Sequence, residues 1–144
     1  MAGVTYILDT NVISDLLKQN ANVHARLRDS LRQGNTLCIC QPVYYEVLRG
    51  LLWVGTAGKQ SILQNGLLPL FRWVALTDED WVQAARYWAS TVSAGRQLAD
   101  TDLLLAAVTT RLGAILVSSD ADFDALTVTR EDWRIPTPNT IDPA

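Results

Sequence analysis

Asp100-Thr101-Asp102-Leu103-Leu104-Leu105-Ala106-Ala107, followed closely by Arg111-Leu112-Gly113-Ala114-Ile115-Leu116-Val117, decides the architecture. From Asp102 to Leu112 the chain is apolar nearly all round, which predicts a helix buried on most of its surface. Gly113 stops it, because glycine takes the left-handed conformation in which helices commonly end. Ala114–Val117 then shows no apolar/polar alternation, as expected of a strand covered on both faces. A buried helix feeding such a strand is one unit of an α/β sheet with mostly parallel strands.

Working outward, short apolar runs alternate with helical patterns along the whole chain. Strands are predicted at Val4–Leu8, Leu37–Cys40, Trp73–Leu76 and Ala114–Val117, with a short edge strand at Trp133–Ile135 ahead of Pro136 and Pro138. Helices are predicted over Val12–Lys18, over Asn22–Arg32 before Gly34, and from Val43 to about Val54 after Pro42. Thr77-Asp78-Glu79-Asp80 resembles a capping box, with Trp81, Ala85, Trp88 and Val92 following at helical spacing. Asp78, Glu79 and Asp80 then read as first-turn acids that favour the helix dipole. Ile62–Phe71, broken by Gly66 and Pro69, fits neither pattern well. The expectation is one domain over residues 1–144, with a central, mostly parallel sheet of four to five strands flanked by helices.

The bulk composition narrows the class. A chain of 144 residues with 49% hydrophobic content and five Trp can bury one core, which argues against disorder. No apolar stretch approaches a membrane span and the first residues lack a signal-peptide pattern, so a soluble, cytoplasmic protein with no membrane partner is expected. The only cysteines, Cys38 and Cys40, share one face of a strand, and reduced buried thiols are expected there. The single histidine, His24, lies in a polar helical stretch and is expected to be solvated, so a cysteine–histidine zinc site is disfavoured. The net charge of −3 speaks against nucleic-acid binding by the whole surface. Local basic groups remain: a cluster of Arg26, Arg28 and Arg32, and Arg96, close in sequence to Asp102.

Four acids require a common explanation. Asp9 closes the first strand in Leu8-Asp9-Thr10-Asn11. Glu46 borders the apolar stripe of a helix, with Arg49 as the nearest surface partner. Asp102 lies in the first turn of the buried helix, and Asp120 follows Leu116-Val117-Ser118-Ser119. A carboxylate beside a buried element costs several kcal/mol to desolvate unless it is paired, hydrogen-bonded or bound to a cation. In open parallel sheets, ligands gather outside the carboxyl ends of the strands, where Asp9 and Asp120 are expected. Each acid has an ordinary explanation alone, as a turn former, a helix cap or a dipole partner. Asp100 in particular reads as a helix cap, with Thr101 as the alternative.

The same stretches carry a family resemblance. From Leu8-Asp9-Thr10-Asn11-Val12 to Ser119-Asp120-Ala121-Asp122-Phe123 the chain resembles the PIN-domain family, and within it the VapC-type ribonuclease toxins of bacterial toxin–antitoxin pairs. The resemblance implies a Mg²⁺- or Mn²⁺-dependent endoribonuclease that cuts RNA, is held by a cognate antitoxin protein, and forms a homodimer. It places Asp9, Glu46, Asp102 and Asp120 on the family's acidic positions. Asn11 and Ser118 fall on its supporting polar positions, the latter more often Thr. Asp9 and Asp102 are then the primary metal ligands, with Glu46 and Asp120 bound directly or through water. Asp100 is a cap able to assist through water, and Arg96 is the first candidate for docking RNA. A bound divalent ion acidifies a water that can attack a phosphodiester, which suits a chain without a catalytic histidine.

Two other enzyme classes start from a strand-end aspartate. A haloacid-dehalogenase-like phosphatase needs a second Asp two residues on, where this chain has Asn11. A response-regulator receiver needs a strand-end Lys, and the only lysines are Lys18 and Lys59. A non-catalytic RNA- or protein-binding PIN-like domain is the rival of another class. It would be favoured by loss of a site acid, and all four are present.

Overall fold

The computed structural model describes residues 3–136. Five strands, β1 (Thr5–Leu8), β2 (Thr36–Cys40), β3 (Arg72–Val74), β4 (Ile115–Val117) and β5 (Arg130–Glu131), form one sheet in the order β3-β2-β1-β4-β5. Every pairing is parallel. The helices are α1 (Thr10–Leu17), α2 (Ala21–Arg32), α3 (Gln41–Val54), α4 (Ala57–Ser61), α5 (Asp78–Ser93) and α6 (Asp100–Leu112). The sheet grows outward from β1 first on one side and then on the other. The crevice at this change of direction opens between the carboxyl ends of β1 and β4, where Leu8 is in register with Val117.

The core justifies the opening stretch. Leu103 to Thr109 of α6 are all buried, and Gly113 ends the helix at φ +60°. Leu116 and Val117 are fully buried, as an apolar strand without alternation requires. Cys38 and Cys40 are free, buried thiols in β2. No helix among the described residues is long and apolar enough to cross a membrane.

Several expectations are corrected. The edge strand is Arg130–Glu131, not Trp133–Ile135. Trp133 is instead a buried plug, its indole edge-on to Tyr6 and its Nε1 donating to Glu131 Oε1 at 3.1 Å. The Thr77–Asp80 capping box is present, but the buried face of α5 is Asp80, Ala84, Tyr87 and Thr91. Trp81, Trp88 and Val92 are exposed, because Arg111 of α6 draws Asp80 inward through two hydrogen bonds of 2.8 and 3.1 Å and so sets the rotation of the helix. The Ile62–Phe71 region becomes a π-helical turn at Ile62–Leu67 and a 3₁₀ turn at Leu68–Leu70. Gly66 and Pro69 weaken a regular helix there, while Leu63 and Leu67, one turn apart, still reach the core. His24 is not simply solvated: its Nε2 lies 2.9 Å from the Leu16 carbonyl, tying α2 to α1.

Candidate active site

Asp9 occupies the turn from β1 into α1. Its backbone is extended (φ −79°, ψ 165°), the conformation of a helix N-cap, and its N–H donates to the Val117 carbonyl at 3.0 Å. Its side chain is the hub of a polar network. Oδ1 accepts the Thr10 N–H at 2.7 Å, and Oδ2 accepts the Asn11 amide at 3.1 Å and the Ser118 hydroxyl at 2.7 Å. A carboxylate offers about four lone-pair sites, two on each oxygen. Oδ2 is therefore filled, and Oδ1 keeps one site for an incoming cation.

Ser118 is fully buried at the end of β4 and uses all of its hydroxyl. While donating to Asp9, it accepts from the Asn11 amide at 3.1 Å and from the Asp120 N–H at 3.0 Å. Asn11 spends its carbonyl oxygen on the Ser119 N–H at 3.2 Å. Asn11 and Ser118 thus act together to set Asp9 and the backbone leading to Asp120. Asp120 itself caps the 3₁₀ turn Ala121–Ala125, its Oδ1 accepting the Asp122 N–H at 2.9 Å.

Glu46 projects from α3. Its Oε2 accepts the Thr10 hydroxyl at 2.9 Å, so α1 and α3 are joined at the site. The Arg49 pairing that was the ordinary explanation of Glu46 is not formed, because the Arg49 guanidinium lies over the Tyr45 ring at 5.1 Å. Thr10 was missed in the sequence. The available signal was its place between Asp9 and Asn11 on the first turn of α1.

Asp102 sits in the first turn of α6, as expected. Burial first, and then the charges of Asp9, Glu46, Asp120 and Asp122, together push its carboxyl up to about 7. Asp9 is also raised, first by burial, against the lowering pull of its bonds to Ser118 and Thr10. Acids from β1, α3, α6 and the β4 loop therefore meet in one field. Asp122, in the first turn after Asp120, joins them and was not singled out in the sequence.

Asp100 departs from expectation. The cap of α6 is Ala99, without a side-chain bond, and Asp100 is an exposed first-turn residue where its charge favours the dipole. Arg96 is exposed in the connection between α5 and α6 and is not held against the acids by any bond of the described residues. Of the basic cluster, Arg26 is committed elsewhere, to Glu131 at 2.8 Å and to the face of Trp133.

The donor set suits a hard divalent cation. Mg²⁺ takes one or two carboxylates and keeps several waters, so it needs no closed protein cage. Among the described residues no group of three or more Asp, Glu, His or Cys side chains stands close enough together to hold an ion without water or movement. Cys40 offers no competing thiolate, since burial pushes its thiol up to about 11.

The PIN domain family matches residues 6–128, a span that runs from β1 through the β4 loop and takes in every acid of the cluster. The chain belongs to the PIN-domain family. Solved structures share its fold. A VapBC2 complex of Rickettsia felis, bound to a promoter DNA fragment, superposes with a TM-score of 0.81 at 20% identity over 90% of this chain and 99% of that one. FitAcB of Neisseria gonorrhoeae gives 0.74 at 22% identity over 89% and 97%. VapC20 of Mycobacterium tuberculosis, a toxin that cleaves the sarcin-ricin loop, gives 0.67 at 19% identity over 86% and 96%. No curated protein sequence matches the chain.

Proposed function

We propose that this PIN domain is a Mg²⁺- or Mn²⁺-dependent endoribonuclease, the toxin of a toxin–antitoxin pair. The observation that carries the reading is the convergence on Asp102. Its carboxyl is raised first by burial and then by the charges of Asp9, Glu46, Asp120 and Asp122, which come from the turn after β1, from α3 and from the segment after β4. A protein gains nothing in stability from gathering like charges at a strand-end crevice, so the arrangement points to a cation that offsets them. A divalent ion there would supply an acidified water and charge stabilisation at the scissile phosphate. Asp9, through its open Oδ1, and Asp102 would hold it, with Glu46 and Asp120 ligating directly or through water.

Support comes from the fold neighbours, among them a member of the VapBC family of toxin–antitoxin systems and a toxin that cleaves the sarcin-ricin loop. On this reading the chain works in the cytoplasm, as a homodimer held by a cognate antitoxin. Arg96 would dock the RNA, so Arg96→Ala should weaken RNA binding and flatten its salt dependence. The direct test is incubation of the purified protein with single-stranded RNA in Mg²⁺ or Mn²⁺. Cleavage that stops with chelator and disappears in Asp102→Asn supports the reading. RNA bound but left intact at every metal concentration would favour a non-catalytic member of the family.

A further inference from the structure

Arg130 does not belong to the acid cluster, yet its guanidinium fastens both ends of the segment that carries Asp120. Nε and Nη2 engage the two carboxylate oxygens of Asp124 at 2.9 Å each, side by side. Nη1 then donates to the main-chain carbonyl of Ser118 at 3.0 Å. Ser118 opens the segment and Asp124 stands in the 3₁₀ turn that closes it. The Arg130 side chain is only 17% exposed, while Asp124 is 57% exposed. An exposed ion pair by itself contributes little to stability. The third bond is what links this pair to the site, because the Ser118 residue it grips is the one whose hydroxyl holds both Asp9 and the Asp120 N–H.

The segment has other anchors. Phe123 is fully buried, and the Ser118 N–H donates to the Glu131 carbonyl at 3.0 Å. Those contacts keep the segment folded, so the guanidinium fork is left to set its exact placement. A lysine could not replace it, since one ammonium cannot grip a carboxylate with two parallel bonds and a carbonyl with a third.

We infer that Arg130 is a positioning residue, which holds Ser118 and Asp120 in the geometry that binds a divalent cation, with Asp124 as its brace. The inference rests on the metal reading given above. It also has a sign that simple electrostatics does not. Removing a positive charge beside a cation site should tighten cation binding by Coulomb's law. Removing a positioning residue should weaken it, as outer-shell partners of metal ligands generally do by tenfold or more.

The test is Mn²⁺ binding to the full chain, read by calorimetry and by the spin-resonance signal of free Mn²⁺, in wild type, Arg130→Gln, Arg130→Lys, Asp124→Asn and the Arg130→Gln/Asp124→Asn pair. Arg130→Gln should raise the Mn²⁺ Kd roughly tenfold or more, and Arg130→Lys should not rescue it. Asp124→Asn should weaken binding less, and the double variant should be no worse than Arg130→Gln alone, since the two side chains act as one unit. RNA cleavage should return towards the wild-type rate once Mn²⁺ is saturating. Unchanged or tighter Mn²⁺ binding in Arg130→Gln overturns the inference, as do additive effects in the double variant. If Arg130→Gln does not fold, Arg130→Lys decides, because it keeps the positive charge and loses only the fork: a wild-type Kd in that variant overturns the inference. A wild-type protein that binds no Mn²⁺ fails the metal reading itself, and this inference falls with it.

Discussion

Ser118 Oγ stands 2.7 Å from Asp9 Oδ2, a bond between residues 109 apart in sequence that the parallel pairing of β1 and β4 makes possible. It is the point where the fold and the acid cluster meet. The same hydroxyl accepts from Asn11 and from the Asp120 N–H, so one oxygen orders three site residues.

Ser118→Ala should therefore act on both stability and the site. Two donors lose their acceptor at a fully buried position, which costs about 1–3 kcal/mol. Asp9, whose carboxyl the Ser118 bond pulls down against burial, should rise further. Divalent affinity should drop by roughly 10–100-fold, the usual effect of losing a partner that orients a ligand. Urea unfolding and Mn²⁺ calorimetry measure the two effects. A variant that is merely less stable, with Mn²⁺ affinity intact, would remove Ser118 from the site.

The raised carboxyl of Asp102 gives a pH dependence of definite sign. Its folded value of about 7 lies above its ordinary 3.8, so folding favours the protonated form. The Asp102 contribution to the stability of the metal-free protein should be full below that ordinary value and lost as pH rises through about 7. Asp9 is shifted in the same direction. Asp102→Asn removes the charge and should melt higher than wild type at pH 8 without metal, while cleaving no RNA. The gap should shrink as pH falls to 5. Thermal melts in EDTA across that range test this, and a gap independent of pH would show that Asp102 does not titrate in the acid cluster.

A second ion pair is structural. Asp80 is buried in the first turn of α5, where burial would raise its carboxyl, but the Arg111 and Thr77 bonds outweigh that and hold it below the usual range. Arg111→Ala leaves a buried charge with half its partners and should destabilise the fold by roughly 3 kcal/mol, the low end for a broken pair because Arg111 reaches solvent. Since the Asp80 carboxyl is lowered, the loss should be full above its ordinary value and fade as pH falls through and below it. Chemical denaturation at pH 7 and pH 3 checks both statements. Metal affinity should not change, which sets this variant apart from Ser118→Ala.

The sheet was readable because its strands are buried on both faces and their apolar runs are nearly unbroken, as in Ile115-Leu116-Val117. The acids were readable because Asp9, Glu46, Asp102 and Asp120 each sit against such an element. The rotation of α5 was not, because a Trp counts as apolar in any periodicity whether it packs inward or lies open. The determinant was a polar pair, Asp80 with Arg111, which inverts the usual reading of an acid as outward-facing. β5 was displaced for a similar reason: Trp133 looks like strand material but plugs the core, and the pairing falls on the charged Arg130 and Glu131. The Thr10–Glu46 and Arg130–Ser118 bonds join residues distant in sequence through chemistry that no spacing announces.

The last expectation concerns the apo protein and needs no RNA. Carboxylates that crowd Asp102 without a cation store instability, and a divalent ion bound only to the folded state relieves it. Such binding adds RT ln(1 + [L]/Kd), about 2.7 kcal/mol at a hundredfold excess over Kd. For a domain of this size that corresponds to a rise in Tm of roughly 5–10 °C. Mn²⁺ or Mg²⁺ should therefore raise the melting temperature well beyond NaCl at matched ionic strength, since salt only screens the repulsion. In Asp102→Asn the metal-free Tm should start higher and the metal-induced rise should be blunted. An undiminished Mn²⁺ shift in that variant, together with a lower Tm in EDTA, would mean that these carboxylates do not share a cation.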